Sequence, residues 1–328
     1  MTSLKPTRNL ALDLVRVTES AALAAGRFVG RGNKIAGDKA AVDAMRLVMN
    51  TIEMSGVIVI GEGEKDEAPM LFNGEVLGTG GLPELDIAVD PIDGTRPLAL
   101  GLGNTIATVA LAPRGTMFNP GPMVYMHKIA VGPEASDVID IDAPVEDNLN
   151  KIARAKEKAV EDLTVIILNR DRHTDLIAEV RRCGARIMLI QDGDVAGAIS
   201  TCLPETGVDV LMGIGGTPEG VLAACALRSI GGNMQGRLYA RSPQEAQRGQ
   251  DLGYDMNQVL FLEDLVSSED VFFAATGITN GSLLHGVDYF TDGAHTDSIV
   301  MRGLTGTIRR IAATHKLNRL SGISSIQY

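Results

Sequence analysis

The sequence predicts an α/β fold whose strands lie between helical layers. Two amphipathic helices open the chain, short apolar strands ending in acidic loops follow, and strands alternate with helices through the second half. Alternation of that kind builds βαβ units and sheets covered by helices.

Leu10, Leu14, Val17, Ala21, Ala24 and Phe28 recur at four- and three-residue steps, which predicts a first helix closed by Gly30 and Gly32. A second helix is expected to begin near Asp38, to carry the stripe Ala41, Met45, Val48 and Ile52, and to stop at Gly56. The period then changes. Val57-Ile58-Val59-Ile60 reads as a buried strand that delivers Gly61-Glu62-Gly63-Glu64, and residues 85–89 read as a strand that delivers Asp90-Pro91-Ile92-Asp93-Gly94-Thr95. Further strands are expected over 105–111, 123–131, 163–168, 186–190 and 208–212, with helices over 173–182, 194–201 and 217–228. Residues 240–253 read as an exposed polar excursion. Charge is dense over 154–162 and the strand pattern restarts after it, so lobes over 1–160 and 161–328 are expected.

The net charge of −11 argues against nucleic acid or an anionic membrane as a partner. A phosphorylated substrate would then need a local positive centre, from arginines or bound cations. The three cysteines, Cys183, Cys202 and Cys225, are odd in number and form no CxxC, so a reduced, cytoplasmic setting is expected. No apolar signal-peptide core follows Lys5 and Arg8, and the apolar runs are strand-length, too short to span a bilayer.

The acids carry the chemistry. Glu62 and Glu64, Asp90 and Asp93, Asp192 and Asp194, and Glu219 in Gly215-Gly216-Thr217-Pro218-Glu219-Gly220 each follow a strand or a glycine turn. Singly, each segment reads as a solvated turn or a helix cap. Jointly, they place carboxylates in loops at strand ends, where α/β folds bind ligands. Converging carboxylates repel unless hard cations lie between them, and an all-oxygen set without Cys or His suits Mg²⁺ or Mn²⁺ better than zinc. Two such ions about 3.5–4 Å apart can serve hydrolysis of a phosphate ester.

Asp90-Pro91-Ile92-Asp93-Gly94-Thr95 is similar to the signature of the lithium-sensitive phosphatase superfamily, which includes fructose-1,6-bisphosphatases and inositol monophosphatases. Within it, the chain resembles the class II fructose-1,6-bisphosphatases. The matching segments include Val17-Thr18-Glu19-Ser20, Ile60-Gly61-Glu62-Gly63-Glu64, Tyr125-Met126-His127-Lys128, Asp192-Gly193-Asp194 and Thr276-Gly277-Ile278-Thr279. The resemblance implies a layered α-β-α-β-α sugar-phosphatase sandwich. It also implies metal-dependent hydrolysis of the 1-phosphate of fructose 1,6-bisphosphate, in gluconeogenesis, by a cytoplasmic homodimer or homotetramer. Alternatives are a relative acting on sedoheptulose 1,7-bisphosphate, inositol phosphate or a nucleotide bisphosphate, or a phosphosugar-binding regulator without turnover.

The resemblance also implies roles. Asp38 and Glu62 would hold one metal, with Glu64 nearby as a base, and Asp90, Asp93 and Glu219 would hold the other. Thr95 would orient the attacking water, Asp38 would assist it, and Gly94 with Asp93 and Gly216 would lie against phosphate or sugar. Tyr125, Arg170, Asp171, Arg172, Asp192, Gly193 and Asp194 would hold the sugar and the distal phosphate. Asp93 stands where many relatives carry Glu, and Asp171, where Pro is common, is expected to compete for a neighbouring arginine. Pro97 leaves the start of the helix after Thr95 open. The five histidines read as structural or surface residues, His173 as a helix start, and the cysteines as core.

Overall fold

The computed structural model describes residues 8–63, 70–326 and 328, so Glu64 lies outside the described residues. In chain order the elements are α1 (Ala11–Gly26), α2 (Lys34–Met49), β1 (Ser55–Ile60), β2 (Val76–Leu77), β3 (Glu84–Asp93), α3 (Thr95–Leu100), β4 (Ile106–Pro113) and β5 (Tyr125–Val131). Then come α4 (Val145–Ala155), β6 (Thr164–Leu168), α5 (Thr174–Arg182), β7 (Arg186–Ile190), α6 (Asp194–Ser200), β8 (Val210–Gly216), α7 (Thr217–Ile230) and β9 (Asn233–Tyr239). The chain ends with α8 (Pro243–Asp251), β10 (Leu260–Phe261), α9 (Leu262–Leu265), β11 (Phe272–Gly277), β12 (Asp288–Phe290), β13 (Gly293–Arg302), β14 (Thr307–Lys316) and α10 (Leu317–Leu320).

Two mixed sheets form. The first runs β12-β13-β11-β4-β3-β1-β2, with β14 also on β13, and the second runs β10-β9-β5-β8-β6-β7. Each sheet draws strands from both sides of residue 160, because the chain returns to the first sheet at β11. Helices fill the layers between and outside. Leu14, Val17, Ala21 and Met45 of α1 and α2 pack on Ile87, Val89, Val109 and Val300 of the first sheet. Val195, Ile199, Leu222 and Leu227 of α6 and α7 lie between the sheets, against Ala88, Ala110 and Phe273 on one side and Met126, Ile166 and Leu211 on the other. Leu149, Ile152 and Val180 of α4 and α5 cover the outer face of the second sheet at Val165, Ile167 and Val210. The result is the α-β-α-β-α order expected, with apolar surface removed from water on both faces of each sheet.

Several boundaries differ from the sequence reading. The N-cap of α2 is Asn33, whose side chain accepts from Ala36 N at 3.1 Å, so the helix starts before Asp38 and carries that carboxyl inside it. Gly56 does not stop α2. It sits in β1, where a side chain would meet Ile87 within 2.3 Å. Strand β3 runs through Asp93, with an irregularity between Asp90 and Asp93, so these acids end a strand rather than sit in a loop. Helix α3 does start at Thr95 despite Pro97, because the N–H that proline lacks is unpaired in a first helical turn anyway. Residues 240–253 contain α8, capped by Ser242.

Candidate active site

Of the acids singled out in the sequence, Glu62, Asp90, Asp93, Asp192, Asp194 and Glu219 line one cleft. A cleft of about 520 Å³ opens between the two sheets, lined by Glu62, Asp90, Asp93, Gly94, Thr95, Tyr125, Arg170, Arg172, Asp192, Gly193, Asp194, Gly216 and Glu219, among others. Glu62 arrives from the end of β1, Asp90 and Asp93 from β3, Asp194 from the first turn of α6, and Glu219 from the first turn of α7. Asp38 reaches the site through Thr95, whose hydroxyl donates to its Oδ1 at 3.0 Å. Gly94 (φ 102°) turns β3 directly into α3, a conformation glycine adopts without strain.

Their charges oppose one another. Glu62 is exposed at the rim yet crowded by protein, and that crowding, with the charges of Asp38 and Glu219, pushes its carboxyl up to about 7. Desolvation raises Asp90 well above the carboxylate range, and Asp93, Glu219 and Glu62 push the same way. Asp93 is raised by burial, then by Asp194 and Glu219, against the Ala196 N–H and Lys128. Burial, then Asp194, raises Glu219. Its Oε2 is buried without a hydrogen-bond partner among the described residues. Asp38 is raised by burial, opposed by the Thr95 hydroxyl. Among the described residues, no three Asp, Glu, His or Cys side chains already close on one point as a cation cage. The donor set nevertheless fits hard cations: it is all carboxylate oxygen, mutually repelling, with one orphaned buried oxygen.

At the far end of the cleft, Arg170 pairs with Asp192. Arg172 donates from Nε (3.1 Å) and Nη2 (2.7 Å) to Ile214 O, and its guanidinium lies 5.2 Å from the Tyr125 ring. Asp171 departs from expectation: it is exposed in the turn before α5, lies off the cleft lining, and Arg170 takes Asp192 as its partner instead.

Two lysines join the site without a role expected from the sequence. Lys34 lines the cleft one turn before Asp38 on α2. Lys128, buried in β5, has Nζ 2.5 Å from Asp194 Oδ2 as an ion pair and aims its hydrogen bond at Gly216 O, 3.0 Å away. The signal for Lys128 was available, since a lysine inside an apolar strand needs a buried partner. Cysteine chemistry is absent from the site: burial pushes Cys202 and Cys225 thiols up to about 12, and neither lines the cleft.

Comparison with known proteins identifies the family. The family described as bacterial fructose-1,6-bisphosphatase, glpX-encoded, matches residues 8–315. The curated "Fructose-1,6-bisphosphatase 1 class 2" of Escherichia coli (strain K12) is 47% identical over 325 residues, 95% of this chain and 96% of that protein. "Fructose-1,6-bisphosphatase class 2" of Shigella flexneri matches to the same extent. A solved structure of the extragenic suppressor protein suhB from Bartonella henselae aligns with a TM-score of 0.33 and 12% identity, over 59% of this chain and 71% of that one, and adds nothing to the fold described above. Among the described residues, no helix is long and apolar enough to cross a membrane. The match across nearly the whole chain and the identity to curated relatives place it plainly: the chain belongs to the bacterial, glpX-encoded class II fructose-1,6-bisphosphatases.

Proposed function

We propose that the chain hydrolyses the 1-phosphate of fructose 1,6-bisphosphate, giving fructose 6-phosphate and inorganic phosphate, in gluconeogenesis. What supports this reading is that Glu62, Asp90, Asp93 and Glu219 line one cleft that also presents two arginines, with Asp38 joined to it through Thr95.

In this reading Asp38 and Glu62 hold one Mg²⁺ or Mn²⁺, and Asp90, Asp93 and Glu219 hold another. Such cations, when bound, neutralise the acids and the phosphate and make water a better nucleophile. The protein's own groups do the rest. Thr95 donates a hydrogen bond from its hydroxyl to Asp38, which leaves its lone pairs to accept one from the attacking water. Asp38 holds that hydroxyl in place. Gly94 lets backbone lie close to the reacting phosphate. Arg172 and Arg170 hold the distal phosphate, for which the planar guanidinium fork is suited. Asp192 and Asp194 accept from sugar hydroxyls, Lys128 fixes Asp194, and Tyr125 lends its phenol. Neither serine nor cysteine is among the described residues lining the cleft, so attack by water without a covalent enzyme intermediate is the route proposed. The same reading carries a cytoplasmic place and assembly as dimers or tetramers.

Phosphate release from a panel of esters, with Mg²⁺ or Mn²⁺ added, tests the substrate. Fructose 1,6-bisphosphate is expected to be preferred. Faster release from sedoheptulose 1,7-bisphosphate, an inositol phosphate or a nucleotide bisphosphate would replace it. Binding without release would make the protein a regulator.

A further inference from the structure

Strands β6 and β8 pair only near their starts, Val165 with Val210 and Ile166 with Leu211. Beyond Ile166 no further pairs form between them. His173 fills the gap. It belongs to the turn after β6 and is 2% exposed. Its Nδ1 lies 2.7 Å from Leu168 O, and Ile214 N–H donates to its Nε2 over 2.7 Å. A carbonyl only accepts and a peptide N–H only donates, so the ring is neutral with its proton on Nδ1. The imidazole thus replaces a missing rung of the sheet.

The contact is built closely. Gly213 has φ +127°, and a side chain there would stand 2.9 Å from His173 Nε2, so β8 can approach the ring only as glycine. The neighbouring Arg172 grips the other polar group of the same residue, the Ile214 carbonyl. Consecutive residues of the 169–173 loop therefore clamp both the N–H and the C=O of Ile214. Strand β8 then runs on to Gly215 and Gly216, at the start of the helix that carries Glu219.

We propose that His173 is a positioning residue for the distal phosphate: a neutral imidazole strut that fixes the Arg170–Arg172 loop against β8 and fails when protonated. This rests on the reading that Arg170 and Arg172 hold that phosphate. An imidazolium would turn Nε2 into a donor facing the Ile214 N–H, losing one bond and adding repulsion. The charged or titratable groups that face the ring are Arg172 and Arg170 on its own loop and His127 on β5, while β6 and β8 carry none. Burial foremost, then Arg172 and Arg170, holds the ring below the ordinary histidine value of 6.5, so the strut stands at neutral pH.

Steady-state kinetics of the full-length, Mn²⁺-supplemented protein test this, with fructose 1,6-bisphosphate and fructose 1-phosphate compared from about pH 5.5 to 8.5. Wild type should show KM for the bisphosphate rising on the acid side, with KM for the monophosphate changing far less. His173→Phe loses both bonds and should raise KM for the bisphosphate roughly ten-fold while kcat moves less than about three-fold. His173→Gln keeps a donor and an acceptor that do not titrate. It should hold a near-wild-type KM and lose the acid-side rise, and its profile decides alone if His173→Phe does not fold. An acid-side rise unchanged in His173→Gln, or equal effects of His173→Phe on both substrates, would overturn the proposal. Arg172→Met separates it from the reading beneath it. If Arg172→Met leaves the ratio of the two KM values unchanged, the distal-phosphate reading fails and takes the strut's role with it. If Arg172→Met shifts that ratio and His173→Phe does not, the strut alone fails.

Discussion

The Thr95 hydroxyl donates to Asp38 Oδ1 at 3.0 Å, across 57 positions of sequence. The contact joins the first turn of α3 to the second turn of α2, and with the longer contact to Ile92 O at 3.4 Å it points the hydroxyl proton into the protein. With that proton directed at Asp38 and Ile92, Thr95 is left to accept from a water in the cleft. Thr95→Ala should therefore lower kcat by roughly 10²- to 10³-fold, in line with loss of an acid–base positioning group. Thr95→Ser should stay within about ten-fold of wild type. Both variants should keep the wild-type circular dichroism spectrum. Equal kcat values for the serine and alanine variants would remove the hydroxyl from the account.

Gly216 bears on Glu219. Its φ of −67° is ordinary, so alanine fits the backbone, but the added carbon would fall 1.7 Å from Glu219 Oε2. Gly216→Ala should then move the carboxylate out of the site. The expected result is a fall in activity of at least ten-fold and a higher Mn²⁺ concentration for half-activation, comparable with Glu219→Gln. Wild-type metal activation in Gly216→Ala would mean that Glu219 does not act from this position.

The crowded acids predict an unusual pH dependence for metal-free protein. Glu62 rises from 4.5 to about 7 in the folded state, so between those values the native chain binds more protons than the unfolded one. The contribution of this group therefore falls as pH rises through that window, the reverse of an ion-paired carboxylate, and solvent at the rim moderates its size. Thermal unfolding in EDTA should show Tm decreasing from pH 5 toward pH 7.5, and less steeply in Glu62→Gln. Added Mn²⁺ should raise Tm more at pH 7.5 than at pH 5. Identical pH slopes in the two proteins would contradict this.

Lys128 and Asp194 form a pair whose side chains are 3% and 7% exposed. Removing one partner strands a buried charge, so Lys128→Met should destabilise by about 3–5 kcal/mol in urea unfolding. Changing both, Lys128→Met with Asp194→Asn, should recover a substantial part of that loss. Additive losses in the double variant would show that the two residues are not coupled.

The sequence made the central acids legible because they are polar residues placed at the ends of apolar strands. Glu62, Asp90, Asp93 and Glu219 stand beside that contrast. Other features were hidden for physical reasons. Asp38 resembles a helix cap, and nothing local reveals that Asn33 takes that place and sends Asp38 toward Thr95. Gly56 resembles a helix stop because the Ile87 side chain that excludes a larger residue comes from 31 positions away in sequence. Strand β14 exposes much of its length at a sheet edge, so its apolar pattern is weak, and the returning strands β11 to β14 escaped notice. His173 looks like any helix-start residue until β8, 41 positions on, supplies the N–H that it receives.

The most direct test of the convergent acids is Mn²⁺-dependent phosphate release from fructose 1,6-bisphosphate by wild type, Glu62→Gln and Asp90→Asn, with the fold of each checked by circular dichroism. The predicted result is robust release by wild type that EDTA abolishes, and at least a roughly 10²-fold loss in each folded variant. Near-wild-type turnover in both variants, at the same Mn²⁺ concentration, would contradict the account.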